Sequence, residues 1–182
     1  MNEKQALKSC QQGDLSAFST LYDQYIDAIY RFIFYKTHHR ETAEDLTSVT
    51  FMKALENINK YDEGAAGFKT WLYRIARNTV IDHYRTLHPT NDIEDAWGLS
   101  GPDDIEGQTD LTLKLEAVKT SLSKLSAEQR EIVTLRVWGD HSFKEIAAIT
   151  GKSEAACKMS FKRTVEKLGK QMALLALFIY FQ

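Results

Sequence analysis

Cysteine and proline are nearly missing from this 182-residue chain, with two of each. Cys10 and Cys157 stand far apart with no second cysteine near either, which excludes a disulfide framework and a cysteine-rich zinc site and makes a reducing cytoplasm the expected compartment. Residues 1–12 are polar and lack an apolar run before a small-residue cleavage site, so no signal peptide is expected. No apolar run is long enough for a membrane span. The longest, residues 172–181, has ten members, about half of what a bilayer requires. It reads either as a terminal helix or strand packed on its own body or as a docking segment for a partner. A nucleophile with its base, a glycine-rich phosphate loop and a metal-spaced histidine cluster are all lacking. His38 and His39 are adjacent in a polar connector, a poor arrangement for converging on one ion. No catalytic residue, metal or cofactor is therefore expected. What remains is ordinary globular composition, 43% hydrophobic and 26% charged, which excludes collagen, disorder throughout and a polytopic membrane protein.

A strong charge of either sign is also lacking: the formal net charge is −2 and the isoelectric point about 6.2. Taken whole, that balance argues against a nucleic-acid protein. Divided by segment it reads differently. Residues 1–88 carry 11 basic and 11 acidic side chains, residues 89–113 none and 7, and residues 114–182 carry 12 and 7. Both prolines, Pro89 and Pro102, lie in the acidic stretch with Gly98, Gly101 and Gly107, as in a linker. The expected organisation is all-α: a helical body over 1–88, an acidic tether over 89–113, a second helical body over 114–170 and an apolar tail over 171–182.

In the first body, apolar residues from Leu15 through Phe18, Leu21, Tyr22, Tyr25, Ile26, Ile29, Tyr30 and Ile33 keep a helical period for more than four turns. Leu46, Val49, Met52, Leu55 and Ile58 recur at every third position and predict a second helix with that face buried. Its other face then holds Glu44, Asp45, Thr47, Phe51 and Lys53, with Phe51 an exposed aromatic among carboxylates. Residues 61–67 break the pattern with two glycines and read as a loop. A third helix from about Phe68 to Arg85 gathers Leu72, Ile75, Ala76, Thr79, Val80 and His83 on one arc, making His83 a core histidine. Arg74, Arg77, Asn78 and Arg85 fall opposite, with Phe68, Lys69 and Trp71 at the near end and Ile81 among the arginines. Guanidinium forks beside aromatic rings suit phosphate and an unstacked base, and a solvated helix face is the alternative.

In the second body, Ser126-Ala-Glu-Gln129 and Ser142-Phe-Lys-Glu145 both have the capping-box pattern. The first opens a helix with Ile132, Val133, Leu135 and Val137 that stops at Trp138-Gly139-Asp140. The second opens a short helix that ends at Gly151, after which Ser153 caps a third. Two helices joined through a glycine turn form a helix-turn-helix, whose second helix can enter the major groove. Cys157, Phe161, Thr164, Val165 and Leu168 make its buried arc, so Cys157 reads as a packed apolar residue. The outward arc holds Ala155, Lys158, Met159, Lys162 and Arg163, and residues 151–170 carry 6 basic against 2 acidic side chains. An ordinary helical hairpin is the other reading of these helices.

Four stretches in this order and spacing carry a resemblance. They are Glu44-Asp-Leu-Thr-Ser-Val-Thr-Phe-Met-Lys-Ala54, Phe68-Lys-Thr-Trp-Leu-Tyr-Arg-Ile-Ala-Arg-Asn78, Leu125-Ser-Ala-Glu-Gln-Arg-Glu131 and Ser142-Phe-Lys-Glu-Ile-Ala147. Over residues 6–170 the chain resembles the extracytoplasmic-function (ECF) sigma factors of bacterial RNA polymerase, members of the sigma-70 family. The resemblance implies two helical domains, region 2 and region 4, and a promoter-specificity subunit without catalysis of its own. It implies that Glu44, Asp45, Thr47, Phe51 and Lys53 bind the clamp helices of the largest polymerase subunit, and that the second domain meets the flap of the second-largest. By the same resemblance Tyr61, Phe68, Lys69, Trp71, Arg74, Arg77, Asn78 and Arg85 melt the minus-ten element. Ser153, Ala155, Lys158, Met159, Lys162 and Arg163 then read the minus-thirty-five element.

An anti-sigma factor is the further partner the resemblance implies, with the apolar tail a candidate participant. The acidic tether reads either as a polyanion mimic inside polymerase channels or as a solvated spacer. This sequence departs from the family pattern at Met159 and Ser160, where a small polar residue and an arginine are common, so promoter preference does not transfer. Its loop before the third helix is short and rich in glycine and alanine. Outside the family, the alternative is a stand-alone helix-turn-helix regulator, which requires a dimer seam or effector pocket; neither pattern is in the first body. A metal-dependent nuclease built on Asp103, Asp104 and Glu106 lacks the rigid frame that two metals need.

Overall fold

Every regular element in the computed structural model, which describes residues 1–64, 66–87 and 125–168, is helical. The seven α-helices among the described residues are α1 (Glu3–Gln11), α2 (Phe18–Thr37), α3 (Arg40–Glu56), α4 (Phe68–Leu87), α5 (Ala127–Val137), α6 (Phe143–Thr150) and α7 (Glu154–Leu168). The acidic tether and the apolar tail expected from the sequence lie outside the described residues.

The first body is built on α2, α3 and α4, with α1 across one end. Phe18, Leu21, Tyr25, Ile29, Phe32 and Ile33 of α2 are buried, at three- and four-residue spacings up to the adjacent pair Phe32 and Ile33, which keeps one stripe inward. The helix stops where His38 turns left-handed (φ 50°). His39 then caps α3, its ring nitrogen accepting the Thr42 amide at 3.3 Å.

Helix α3 corrects the expectation drawn from its third-residue steps. Its inward face is Ala43, Leu46, Thr47, Thr50, Phe51 and Ala54, while Val49 and Met52 are exposed. The reason is geometric: at about 100° per residue each three-residue step falls about 60° short of a turn, so five such residues wind around the helix. Buried Thr47 and Thr50 satisfy their hydroxyls on the carbonyls of Ala43 and Leu46, at 2.6 and 2.7 Å.

In the second body both expected capping boxes are formed, Ser126 with Gln129 and Ser142 with Glu145. Gly151 ends α6 at φ 75°, a left-handed cap that favours glycine. Gly139, in the turn between α5 and α6, has a different reason: a Cβ there would lie 2.7 Å from the Leu135 carbonyl oxygen and 2.7 Å from the His141 ring. Ile132, Leu135, Ile146, Ile149 and Cys157 are buried between the three helices. Each large aliphatic among them contributes about 1.5–3 kcal/mol by leaving water.

The two bodies pack against each other, a contact that no period in the sequence announces. The stripe Thr70, Tyr73 and Arg77 of α4 meets α5 and α6. Tyr73 stands edge-on to His141 with centroids 4.4 Å apart, and the Thr70 hydroxyl donates to Glu145 at 3.3 Å. At the end of α2, Tyr35 lies against Trp138 at 5.4 Å. Between these contacts the buried Glu131 carboxylate accepts from Lys36 Nζ at 2.6 Å and from Arg77 Nε at 3.1 and 3.2 Å.

Candidate nucleic-acid interface and partner face

Helix α4 divides the expected minus-ten residues into two groups. Arg74, Asn78 and Arg85 are exposed on one side, as their helical phase requires. Tyr61 and Phe68 are buried and form an aromatic platform under half-buried Trp71: Tyr61 meets Phe68 at 5.6 Å and Trp71 at 5.4 Å, and Phe68 meets Trp71 at 5.6 Å. Their rings support Trp71 and are not themselves available to a base. The loop is tied down from the other side, since the Gln11 amide donates to the Ile58 and Tyr61 carbonyls. Lys69 is half-buried. Arg77 is the exception among the arginines, its side chain 20% exposed and held by Glu131. Burial works to raise the Glu131 carboxyl, and the combined charge of Lys36 and Arg77 outweighs it, holding the group below the usual carboxylate range. His83 is half-buried, with desolvation lowering its pKa, and Tyr84 takes the buried place beside it, donating to the Lys36 carbonyl at 3.3 Å.

On α7 the outward arc agrees with the sequence reading in its placement. Ser153, Ala155, Lys158, Met159, Lys162 and Arg163 are all exposed, while Cys157 and Thr164 are buried. The Ser153 hydroxyl caps the helix, accepting the Ala156 amide at 3.2 Å. Lys158 pairs with Glu154 at 2.6 Å, and Lys162 with Glu166 at 3.9 Å, each one turn away. The unpaired apolar side chain in this basic face is Met159, 51% exposed.

The face of α3 differs from expectation in its membership. Glu44 and Asp45 are exposed, but Thr47 and Phe51 are buried; Phe51 packs on Phe18 and Tyr22 with centroids 6.4 and 4.8 Å apart. Lys53 reaches across to Asp82 at 3.4 Å. The exposed surface therefore comprises Glu44, Asp45, Ser48, Val49 and Met52. Beside it runs an open groove of about 830 Å³ whose floor is Tyr22, Ile26, Tyr30 and Phe34, one α2 residue per turn, and whose rim includes Arg40 and Glu44. The sequence reading assigned Val49 and Met52, and Tyr22, Ile26 and Tyr30 of this α2 stripe, to the core. The four-residue spacing from Tyr22 to Phe34, set apart from the Leu21 to Ile33 set, is the signal that separates them.

No group of three or more histidine, cysteine or carboxylate side chains suited to a metal occurs among the described residues, and no described helix is long and apolar enough to cross a membrane.

Two family models match the chain: Sigma-70 region 2 over residues 21–89, and Sigma-70, region 4 over residues 115–168. The chain is similar to the ECF RNA polymerase sigma factor BldN of Streptomyces coelicolor, 37% identical over 172 residues that span 90% of this chain and 63% of BldN. It is also similar to the RNA polymerase sigma factor YlaC of Bacillus subtilis, 35% identical over 84% of this chain and 90% of YlaC. Among solved structures it is similar to the sigma factor RpoE in complex with the anti-sigma factor NepR from Bartonella quintana. That likeness has a TM-score of 0.66 and 25% identity, covering 86% of this chain and 96% of the other.

Proposed function

We propose, on the premise that this chain belongs to the ECF sigma factors of the sigma-70 family, that it directs promoter-specific transcription initiation as a subunit of RNA polymerase. The observation that carries this reading is the outward face of α7. A helix-turn-helix with its glycine turn formed presents Ala155, Lys158, Met159, Lys162 and Arg163 together, with two small residues at the start where the backbone must come close to base edges. Lysines and Arg163 position the helix on phosphates, and Met159 offers apolar contact to a thymine methyl.

The minus-ten surface is Trp71 on its aromatic platform with Lys69, Arg74, Asn78 and Arg85, joined by Arg77 once that residue is released. Extruding a base costs a few kcal/mol of unstacking, offset by stacking on Trp71 and by charge on the strand. Core polymerase is received on α3 through Glu44, Asp45, Ser48, Val49 and Met52 and along the adjoining α2 groove. An anti-sigma factor, the partner present in the RpoE complex, is the antagonist expected for this chain. The promoter-bound chain works in the cytoplasm, supplies no catalysis and needs no cofactor. A stand-alone regulator is disfavoured because two successive family regions are matched rather than a helix-turn-helix alone.

Run-off transcription with bacterial core enzyme on a randomised promoter library tests the reading. Enrichment of paired elements near minus ten and minus thirty-five supports it. Failure to bind core or to start from any member overturns it.

A further inference from the structure

Helix α1 precedes the stretch matched by the region 2 family, which begins at residue 21, and its contacts converge on the residues that support Trp71. Asn2 and Gln5 close a capping box at its start. Ala6, Leu7 and Cys10 are buried, and the helix packs on α2 and on the single 3₁₀ turn Ile58–Lys60, so it is a fixed body. From its last residue the Gln11 carboxamide reaches over that turn. Its Nε2 donates to the Ile58 carbonyl at 3.3 Å and to the Tyr61 carbonyl at 2.9 Å. The Tyr61 amide itself donates to the Ile58 carbonyl at 3.1 Å, so one nitrogen spans both ends of the turn and uses both of its hydrogens. The Tyr61 ring then stands edge-on to Phe68 and against Trp71. A second tie, Lys4 to Glu63 at 2.8 Å, joins two exposed side chains and fixes little.

We propose that Gln11 is a positioning residue for base capture: α1 holds Tyr61 through Gln11, Tyr61 holds Trp71, and the tilt of the Trp71 ring sets which unstacked base is accepted in the minus-ten element. The inference rests on the reading of Trp71 as the stacking ring and adds a determinant from a helix that touches no DNA. A stacking ring alone discriminates weakly, because every base has a π-face. Choice among bases requires the base edge to be held in one place against neighbouring polar groups, and a ring free to tilt does not do that. Trp71 is half-buried, and its underside is made of Tyr61 and Phe68. Both are referred to α1. Phe68 packs on Tyr25 at 5.7 Å, and the Tyr25 hydroxyl donates to the Glu3 carboxylate at the start of the helix. Tyr61, in the connection between α3 and α4, is held by Gln11 at the end of it. A carboxamide suits this place because it donates twice without adding a charge beside the strand.

The test uses the full chain assembled with core polymerase on the best promoter recovered from the randomised library. Each minus-ten and minus-thirty-five position is changed to every other base, and the rate of open-complex formation is measured for wild type and for Gln11→Met, which keeps size and neutrality and removes both donors. Gln11→Met is expected to open the promoter about tenfold more slowly. It should lose base discrimination at the minus-ten position where Trp71→Ala also loses it, while keeping discrimination at minus thirty-five, affinity for core and melting temperature. Lys4→Met, which breaks the exposed pair, is expected to match wild type; a loss equal to that of Gln11→Met would overturn the assignment to Gln11. If Gln11→Met fails to fold, Gln11→Asn, too short to span the turn, is read in the same way. Equal loss at all positions of both elements marks general loosening and overturns the inference. If the wild-type holoenzyme opens no promoter, the reading of function falls as well. A wild-type preference at minus ten that Gln11→Met leaves unchanged removes the inference alone.

Discussion

The rings of Tyr73 and His141 meet edge to face across the two bodies, 79° apart in plane, and the His141 ring is fully buried with no hydrogen-bond partner on either nitrogen. Burial, with Lys69 nearby, pushes its pKa down to about 4 from an ordinary 6.5. Between those values the unfolded chain binds more protons than the folded one. Stability is therefore whole above pH 6.5 and declines as pH falls toward 4, by about 3 kcal/mol if the full shift is realised. Urea melts at pH 7.5, 5.5 and 4.5 should show this decline. His141→Leu should flatten the His141 contribution and melt higher than wild type at pH 5.

Removing the acid of the ion cluster should cost more than removing acid and base together. Glu131→Ala leaves Lys36 and Arg77 facing each other in a buried site, and a loss of about 3–5 kcal/mol is expected. Glu131→Leu combined with Lys36→Met should recover part of it. A double-mutant cycle on denaturation midpoints measures the coupling; additive losses would show the two side chains to be independent.

Val49, Met52 and Phe51 should separate binding from folding. Met52→Glu or Val49→Glu, on the exposed face of α3, is expected to weaken capture by core polymerase at least tenfold while leaving the melting temperature within a degree or two. Phe51→Ala should destabilise by about 3–5 kcal/mol through the cavity it leaves against Phe18 and Tyr22. Equal effects of Met52→Glu and Phe51→Ala on stability would contradict this division.

Gly139→Ala should loosen the helix-turn-helix. The added methyl meets a backbone oxygen as well as the His141 ring, so side-chain movement alone does not relieve it. A loss of about 1–3 kcal/mol is expected, read as earlier melting and faster amide exchange in α5 and α6. Gly67→Ala, whose Cβ has nothing within 4 Å, is the control and should be nearly neutral.

The local elements were legible because their signals are local. Both capping boxes, the Gly151 turn, the buried arc of α7 and the exposure of Arg74, Asn78 and Arg85 follow from neighbours three or four positions apart. Phe51 was misread because a three-residue repeat resembles a helical face while winding around it. The burial of Tyr61 and Phe68 was not legible, because an aromatic next to arginines has the same pattern whether it offers its ring or supports another. The meeting of Glu131 with Lys36 and Arg77 had no sequence signal at all. Its members are separated by an acidic stretch, and only the packing of α5 on α2 and α4 brings them together.

On the proposed reading of α7 as the helix that enters the duplex, its ion pairs would govern how it enters and leaves DNA. Lys158 and Lys162 already hold Glu154 and Glu166, so these glutamates behave as counterions carried by the protein. When a phosphate arrives it exchanges with a carboxylate that stays attached, and the lysine is not newly neutralised. Two cations of the face would thus contribute little to the long-range pull of the duplex, and affinity would depend less on salt than their number suggests. On that reading residence on random sequence would be short for the same reason, and the choice of site would fall to the groups facing base edges, with Met159 at their centre.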